Sequence, residues 1–179
     1  MEFFSTKRLV LRITEEQDMA SLVSKVFTDT TVTQHLFTKR DMMNGLSTKQ
    51  AEKYIRDKLL FRPAPYGLCV LALRESNEPI GIAGVLKSIL LKEREYEFCF
   101  AIKKDLWGKG YATEIGHAQI HYGFNQLYLP KLFASVCKNN RASIKVLKKL
   151  NMKLLYSDCP HNNWLIYVIN NPNCHLQIT

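Results

Sequence analysis

Apolar and charged residues alternate through Arg8-Leu9-Val10-Leu11-Arg12, inside residues 3–13, as they do in a half-buried strand. Helix-like sequence follows through Phe27, and a polar stretch then leads to Ser47-Thr48-Lys49-Gln50. Ser and Gln three positions apart match a capping box, and the helix it opens ends before Pro63. Beyond that point the apolar period shortens. Residues 66–73, 80–87 and 96–102 read as strands, separated by Ser-Asn-Glu-Pro and by a charged Lys-Glu-Arg-Glu turn, and they predict an antiparallel meander. Residues 111–126 form a helix of mixed apolarity, covered on more than one side. A strand at 131–137, a helix at 141–150 and strands near 152–157 and 164–169 complete the chain.

Strands followed by strand–helix–strand–helix predict an α/β fold of the α+β kind, a mixed sheet with helices on its faces. The step from 96–102 through a helix to 131–137 is a crossover joining parallel neighbours. Neither a repeat nor a linker interrupts the 179 residues, so one domain over 1–179 is expected. A chain of this length buries roughly 70% of the surface its unfolded form exposes.

Composition narrows the setting. No apolar run approaches the ~18 residues of a membrane span, and Met-Glu-Phe-Phe-Ser lacks the basic start and apolar stretch of a secretory signal. The cytoplasm is the expected location. Cys69, Cys99, Cys137, Cys159 and Cys174 are odd in number and scattered, which fits a reducing compartment better than a disulfide framework. The net charge of +9 attracts anions of any kind, nucleic acid, membrane surface or polyphosphorylated cofactor. Lys103, Lys104, Lys109, Lys138, Arg141, Lys145, Lys148 and Lys149 crowd into one third of the chain.

The chemistry concentrates in Asp105-Leu106-Trp107-Gly108-Lys109-Gly110-Tyr111-Ala112-Thr113-Glu114, where a strand has just ended and a helix begins. Glycines allow close backbone approach, and a helix start leaves unpaired N–H groups at the positive end of its dipole. Together they make a phosphate cradle, to which Lys109 adds charge. Alone, Gly-x-Gly also reads as a tight turn. It lacks the Gly-Lys-Ser/Thr end of a Walker loop and the third glycine of a dinucleotide fingerprint. Downstream, Asn140 is an N-cap for the last helix and puts Ser143 on its first turn, a pattern that capping alone also explains.

Taken together, the two constellations resemble the GNAT superfamily of N-acetyltransferases, in particular its RimJ/RimL-like branch. The segment from Trp107 to Glu114 is similar to that branch's pyrophosphate loop, and Asn140-Arg141-Ala142-Ser143 to its second motif. Arg8-Leu9-Val10-Leu11-Arg12 resembles its opening strand and Pro79-Ile80-Gly81 its third. The likeness spans roughly residues 4–167 and is weakest at 28–65. In the superfamily's Arg/Gln-x-x-Gly-x-Gly/Ala motif, the matching places hold Trp107, Gly110 and Ala112.

The resemblance implies acetyl-CoA as co-substrate, no metal, and a cleft between two splayed parallel strands. The backbone of Gly108, Lys109, Gly110, Tyr111, Ala112 and Thr113 would hold the pyrophosphate. That of Phe100, Ala101 and Ile102 would pair with the pantetheine arm and supply an oxyanion donor. Asn140 would meet a pantetheine amide, with Arg141 and Lys145 reaching the ribose phosphate. Glu97, where the branch carries a glutamate, is the expected base, with Glu95 its competitor. Many members place a thiolate-protonating tyrosine where this chain has Leu147; Ser143, one helical turn earlier, is the expected donor instead. The family's Gly-Phe is replaced by Asn151-Met152. Expected partners are acetyl-CoA and an amine acceptor, either a protein N-terminus, including that of a ribosomal protein, or a small amine. The chain acts as monomer or homodimer, with no membrane.

Other readings carry less. His117 and His121 share a helix face without a third metal ligand, and Cys159, His161, Cys174 and His175 make a zinc site only if the tail folds back. The basic patch also suits an RNA- or ribosome-binding domain, though no recognition motif accompanies it. A CoA-binding relative without catalysis is the third alternative.

Overall fold

The opening stretch is two strands. In the computed structural model, which describes residues 1–36, 44–60, 66–88, 91, 95–157 and 163–174, β1 (Glu2–Ser5) and β2 (Leu9–Arg12) pair antiparallel. All four β2 residues are buried, so the alternation read there does not separate a wet face from a dry one. Arg12 explains the difference. Its guanidinium donates to both carboxylate oxygens of buried Asp18 at 2.8 Å, to Asn77 Oδ1 at 2.7 Å and to the Ile13 carbonyl at 3.1 Å. A charge so paired and bonded tolerates burial. The hydrogen bond to Asp18 leads the effects that raise the Arg12 pKa, against the opposing cost of desolvation.

The helix-like stretch is a series of short turns: a 3-10 turn at Glu16–Asp18, α1 (Met19–Leu22) and a π turn at Val23–Phe27. The polar stretch beyond contains a further short helix, α2 (Thr30–Thr33), whose N-cap Asp29 accepts from the Thr31 N–H at 2.8 Å. α3 (Thr48–Lys58) starts at the expected capping box, with Ser47 N–H donating to Gln50 Oε1 at 2.9 Å and Gln50 N–H to Ser47 Oγ at 3.4 Å.

The remaining strands are β3 (Gly67–Leu73), β4 (Pro79–Lys87), β5 (Tyr96–Ile102), β6 (Lys131–Cys137), β7 (Lys153–Tyr156) and β8 (Trp164–Asn170). Among them run α4 (Tyr111–Asn125) and α5 (Arg141–Lys149). One eight-stranded sheet results, in the order β1-β2-β3-β4-β5-β6-β8-β7. Every neighbouring pair is antiparallel except β5 and β6. The meander and the crossover helix are therefore both present.

Two layers of helix cover the sheet. Val70, Ile82 and Ala101 pack with Leu22, Phe27, Ala51 and Ile55 on the side of α1 and α3. On the other side Phe98 and Leu132 meet Ile120 and Phe124 of α4 and Leu147 of α5. Leu71, Ala83 and Ile102 meet Ile115 of α4. Fully buried Gln119 of α4 donates to the carbonyls of Gly84 and Cys99, each at 2.9 Å, fixing the crossover helix over β4 and β5. Among the described residues, no helix is long and apolar enough to cross a membrane.

Candidate active site

The parallel strands β5 and β6 meet at one register pair, Glu97 with Phe133. On its other edge β5 is fully laddered. Ser88 N–H donates to Glu95 C=O at 2.9 Å and Lys103 N–H to Ile80 C=O at 2.8 Å, with unbroken antiparallel register between them. Such exchanges recur at every second residue, so Glu97, Cys99 and Ala101 direct their backbone groups to β4. Phe98, Phe100 and Ile102 turn theirs toward β6. Past the Glu97–Phe133 pair the ladder to β6 is not continued. The Ile102 carbonyl accepts from the Trp107 indole N–H at 2.7 Å, leaving Phe100 to present N–H and C=O, and Ile102 its N–H. Ala101, grouped with them on sequence, faces Ile82 with its backbone. The two-residue alternation makes this correction, and it depends on register.

Downstream of β5, Lys104–Leu106 form a 3-10 turn, and the Trp107 N–H closes it on the Lys104 carbonyl at 3.0 Å. Gly108 and Gly110 then adopt φ of +78° and +83°. A β-carbon costs about 1–2 kcal/mol in that left-handed region. The first bond into α4 runs from Glu114 N–H to Gly110 C=O at 3.1 Å. Among the described residues, the N–H groups of Gly108, Lys109, Gly110, Tyr111, Ala112 and Thr113 donate to no protein acceptor. A row of orphan donors at a helix start, on an exposed glycine turn, suits a diphosphate.

This turn is held from the far end of the sheet. Arg8, at the head of β2, donates through Nη1 to the Lys109 carbonyl at 3.0 Å and through Nε to Glu114 Oε2 at 2.6 Å. It also lies 4.2 Å above the Tyr111 ring. Glu114 accepts further from Thr6 Oγ1 at 2.6 Å and the Arg8 N–H at 2.9 Å. Burial pushes the Glu114 pKa up, but the hydrogen bonds from Thr6 and Arg8 together outweigh it and hold the carboxyl below its usual range.

At the end of β6, Asn140 caps α5 by accepting the Ser143 N–H at 3.0 Å through Oδ1. Its Nδ2 remains a donor, and Ser143 is half-buried on the first turn. Leu147 is buried in the core among α4 and β6, so the position that carries tyrosine in many relatives is here a packing residue. Asn151 takes φ of +59°, the left-handed conformation a glycine would have supplied.

The two candidate carboxylates differ. Glu95, just before β5, is bound to Lys131 at the start of β6 at 2.6 Å. Glu97 is buried at the fork, and Ser135 Oγ of β6 donates to its Oε2 at 2.7 Å. Strand alternation puts Cys99 on the same face as Glu97. Burial, followed by the charge of Glu97, pushes the Cys99 thiol up to about 12. The Tyr54 hydroxyl of α3 is itself raised, by desolvation first and by the charge of Cys99 second. Beside α3, an open hollow of about 530 Å³ is lined by residues that include Glu16, Val23, Thr28, Thr48 and Glu52.

Residues 8–153 match the family model described as "Acetyltransferase (GNAT) domain". The chain belongs to this family. An uncharacterized N-acetyltransferase of Bacillus licheniformis, p20, is 30% identical over 165 residues, which cover 86% of this chain and 83% of that protein. A GNAT-family acetyltransferase structure from Bacillus anthracis superposes with a TM-score of 0.76 at 23% identity, covering 96% of this chain and 99% of that one. RimL, a ribosomal-protein α-N-acetyltransferase solved with coenzyme A, has a TM-score of 0.74 at 13% identity, with 95% and 98% covered. Spermidine N-acetyltransferase from Vibrio cholerae, solved with CoA and spermine, has 0.71 at 16%, with 93% and 97% covered. These solved structures share the fold.

The protein is thus a GNAT N-acetyltransferase with acetyl-CoA as co-substrate, and its fold brings the two sequence constellations to the ends of the splayed strands. Sequence reasoning missed the Arg8–Glu114 brace, the Trp107 bond to Ile102 and the Ser135 partner of Glu97. All three arise from tertiary placement, which residue spacing does not encode. His117 and His121 are both exposed on α4, and among the described residues no three His, Cys, Asp or Glu side chains gather as a metal site. Cys159, His161 and His175 lie outside the described residues.

Proposed function

We propose that this GNAT enzyme is a single-domain member of the RimJ/RimL-like branch and acetylates the α-amine of a protein N-terminus, with a ribosomal protein as the favoured class. The observation that carries the mechanism is the fork of β5 and β6. The ladder stops at Glu97–Phe133, Phe100 N–H and C=O face the gap, and the unpaired amides of Gly108–Thr113 lie beyond it. The thioester would lie along β5 with its diphosphate on the glycine turn and a pantetheine amide against Asn140 Nδ2. Glu97 then accepts the proton of the incoming ammonium, directly or through water. Phe100 N–H donates to the developing oxyanion. Ser143 Oγ protonates the leaving sulfur and takes up the second proton that the nitrogen sheds as the intermediate collapses. The amine attacks the thioester carbonyl directly in a ternary complex, the C–S bond breaks, and positioning supplies much of the rate.

Acceptor choice follows from weaker signals. The net charge of +9 repels a polycation, which favours a singly charged α-amine over a polyamine. The branch resemblance and RimL among the similar folds support the same reading. The test is a thiol-release assay over peptides with free N-termini, amino acids, spermidine and an aminoglycoside. Turnover of free-N-terminal peptides, abolished by N-terminal blocking, is expected. Turnover confined to spermidine or the aminoglycoside would overturn the acceptor assignment.

A further inference from the structure

Tryptophan is highly buried on average, yet Trp107 keeps 47% of its surface open, so packing alone does not account for it. Two hydrogen bonds do. Its main-chain N–H closes the 3-10 turn on the Lys104 carbonyl at 3.0 Å, and its indole N–H donates to the Ile102 carbonyl at 2.7 Å. Ile102 is the last residue of β5, and its carbonyl is the final backbone acceptor that the strand turns toward the gap. Trp107 is followed at once by Gly108, whose φ of +78° opens the glycine turn. One side chain therefore ties the end of the fork to the start of the cradle, across residues 103–106.

We propose that Trp107 is a positioning residue for acetyl-CoA: its indole N–H sets the distance between the strand that receives the pantetheine arm and the amides that receive the diphosphate. A cofactor that spans both subsites binds well only where their spacing already matches its own length. The far side of the turn is anchored separately, by Arg8 Nη1 on the Lys109 carbonyl at 3.0 Å. Loss of the indole bond thus frees the turn relative to β5 and leaves its own shape held by Arg8. This inference rests on the reading of the fork as the pantetheine channel.

Trp107→Phe keeps an aromatic ring and removes the N–H. Calorimetry on the full chain should show CoA binding weakened about tenfold, the scale of one hydrogen bond. ADP carries a diphosphate without the pantetheine arm, and in a nitrogen-15 amide titration it should bind wild type and variant equally. Unchanged CoA affinity would overturn the proposal. So would an equal loss for ADP, because Trp107 would then shape the cradle and not its distance from β5. The wild type supplies a second readout. The chain has two tryptophans, Trp107 and Trp164, so the indole N–H signal that Trp107→Phe removes belongs to Trp107. It should exchange slowly with solvent, both free and at saturating CoA, and exchange as fast as that of an open indole would also overturn the proposal. Saturation of the wild type with CoA while the Phe100 amide stays unmoved is a different failure: it removes the pantetheine channel itself, and this inference with it.

Discussion

Arg8 and Glu114 stand 106 positions apart in sequence and 2.6 Å apart in the fold. Their pairing braces the start of α4 against β2, and the same guanidinium holds the Lys109 carbonyl inside the glycine turn. A cradle built from backbone amides works only if the backbone is already set. Arg8→Ala should therefore weaken CoA binding about tenfold, measured by calorimetry. Folding stability should change by less than about 1 kcal/mol, because the Arg8 side chain is 41% exposed. Equal affinity in the variant would mean the turn is rigid without the brace.

The same pair carries a pH dependence. Glu114 titrates below its ordinary value, so its contribution to stability is fully present above the unfolded glutamate pKa of about 4.3. It is lost as pH falls through the lower folded value. Between pH ~5 and ~3, wild-type melting temperature should fall more steeply than that of Glu114→Gln. Parallel curves would show that Glu114 contributes nothing to acid sensitivity.

Gly110 tests the cradle conformation itself. A β-carbon there would have only Arg8 Nη2 nearby, at 3.5 Å, so the penalty of Gly110→Ala is the left-handed φ of +83°. Relaxation of about 1–2 kcal/mol of strain would turn amides away from the diphosphate. CoA affinity should fall at least tenfold, with little loss of melting temperature. Undiminished affinity would remove the turn from the binding site.

How much of this was legible beforehand follows from the range of each interaction. The bounds of β5 and β6 were readable to the residue, since β-branched and aromatic runs between turn signals are local features. The Ser47 capping box was readable for the same reason. The burial of Arg12 was not legible from the alternation, because its partner Asp18 arrives through a turn whose short 3-10, α and π pieces give no single period. The glycine turn and Asn140 could be named from spacing. That Phe100 and not Ala101 faces the gap depended on strand register, and that Glu97 has Ser135 beside it depended on the crossover.

The chemistry itself divides into two substitutions. Glu97→Gln should lower kcat about 10²–10⁴-fold at unchanged CoA affinity, the usual scale for a positioned base. Ser143→Ala should lower it less, since water can replace a hydroxyl donor. Unchanged turnover in both variants would sink both roles while leaving cofactor binding untouched.

Buried Asp18 offers a test of the fold apart from catalysis. Asp18→Asn leaves the Arg12 charge uncompensated inside the protein, at a cost of roughly 3–5 kcal/mol by denaturant unfolding. A loss under 1 kcal/mol would mean that water reaches the pair.

The most direct test of the account is a nitrogen-15 amide titration of the full chain with CoA. The largest shifts should fall on Gly108 to Thr113 and on Phe100. Saturation of binding with those amides unmoved would contradict it.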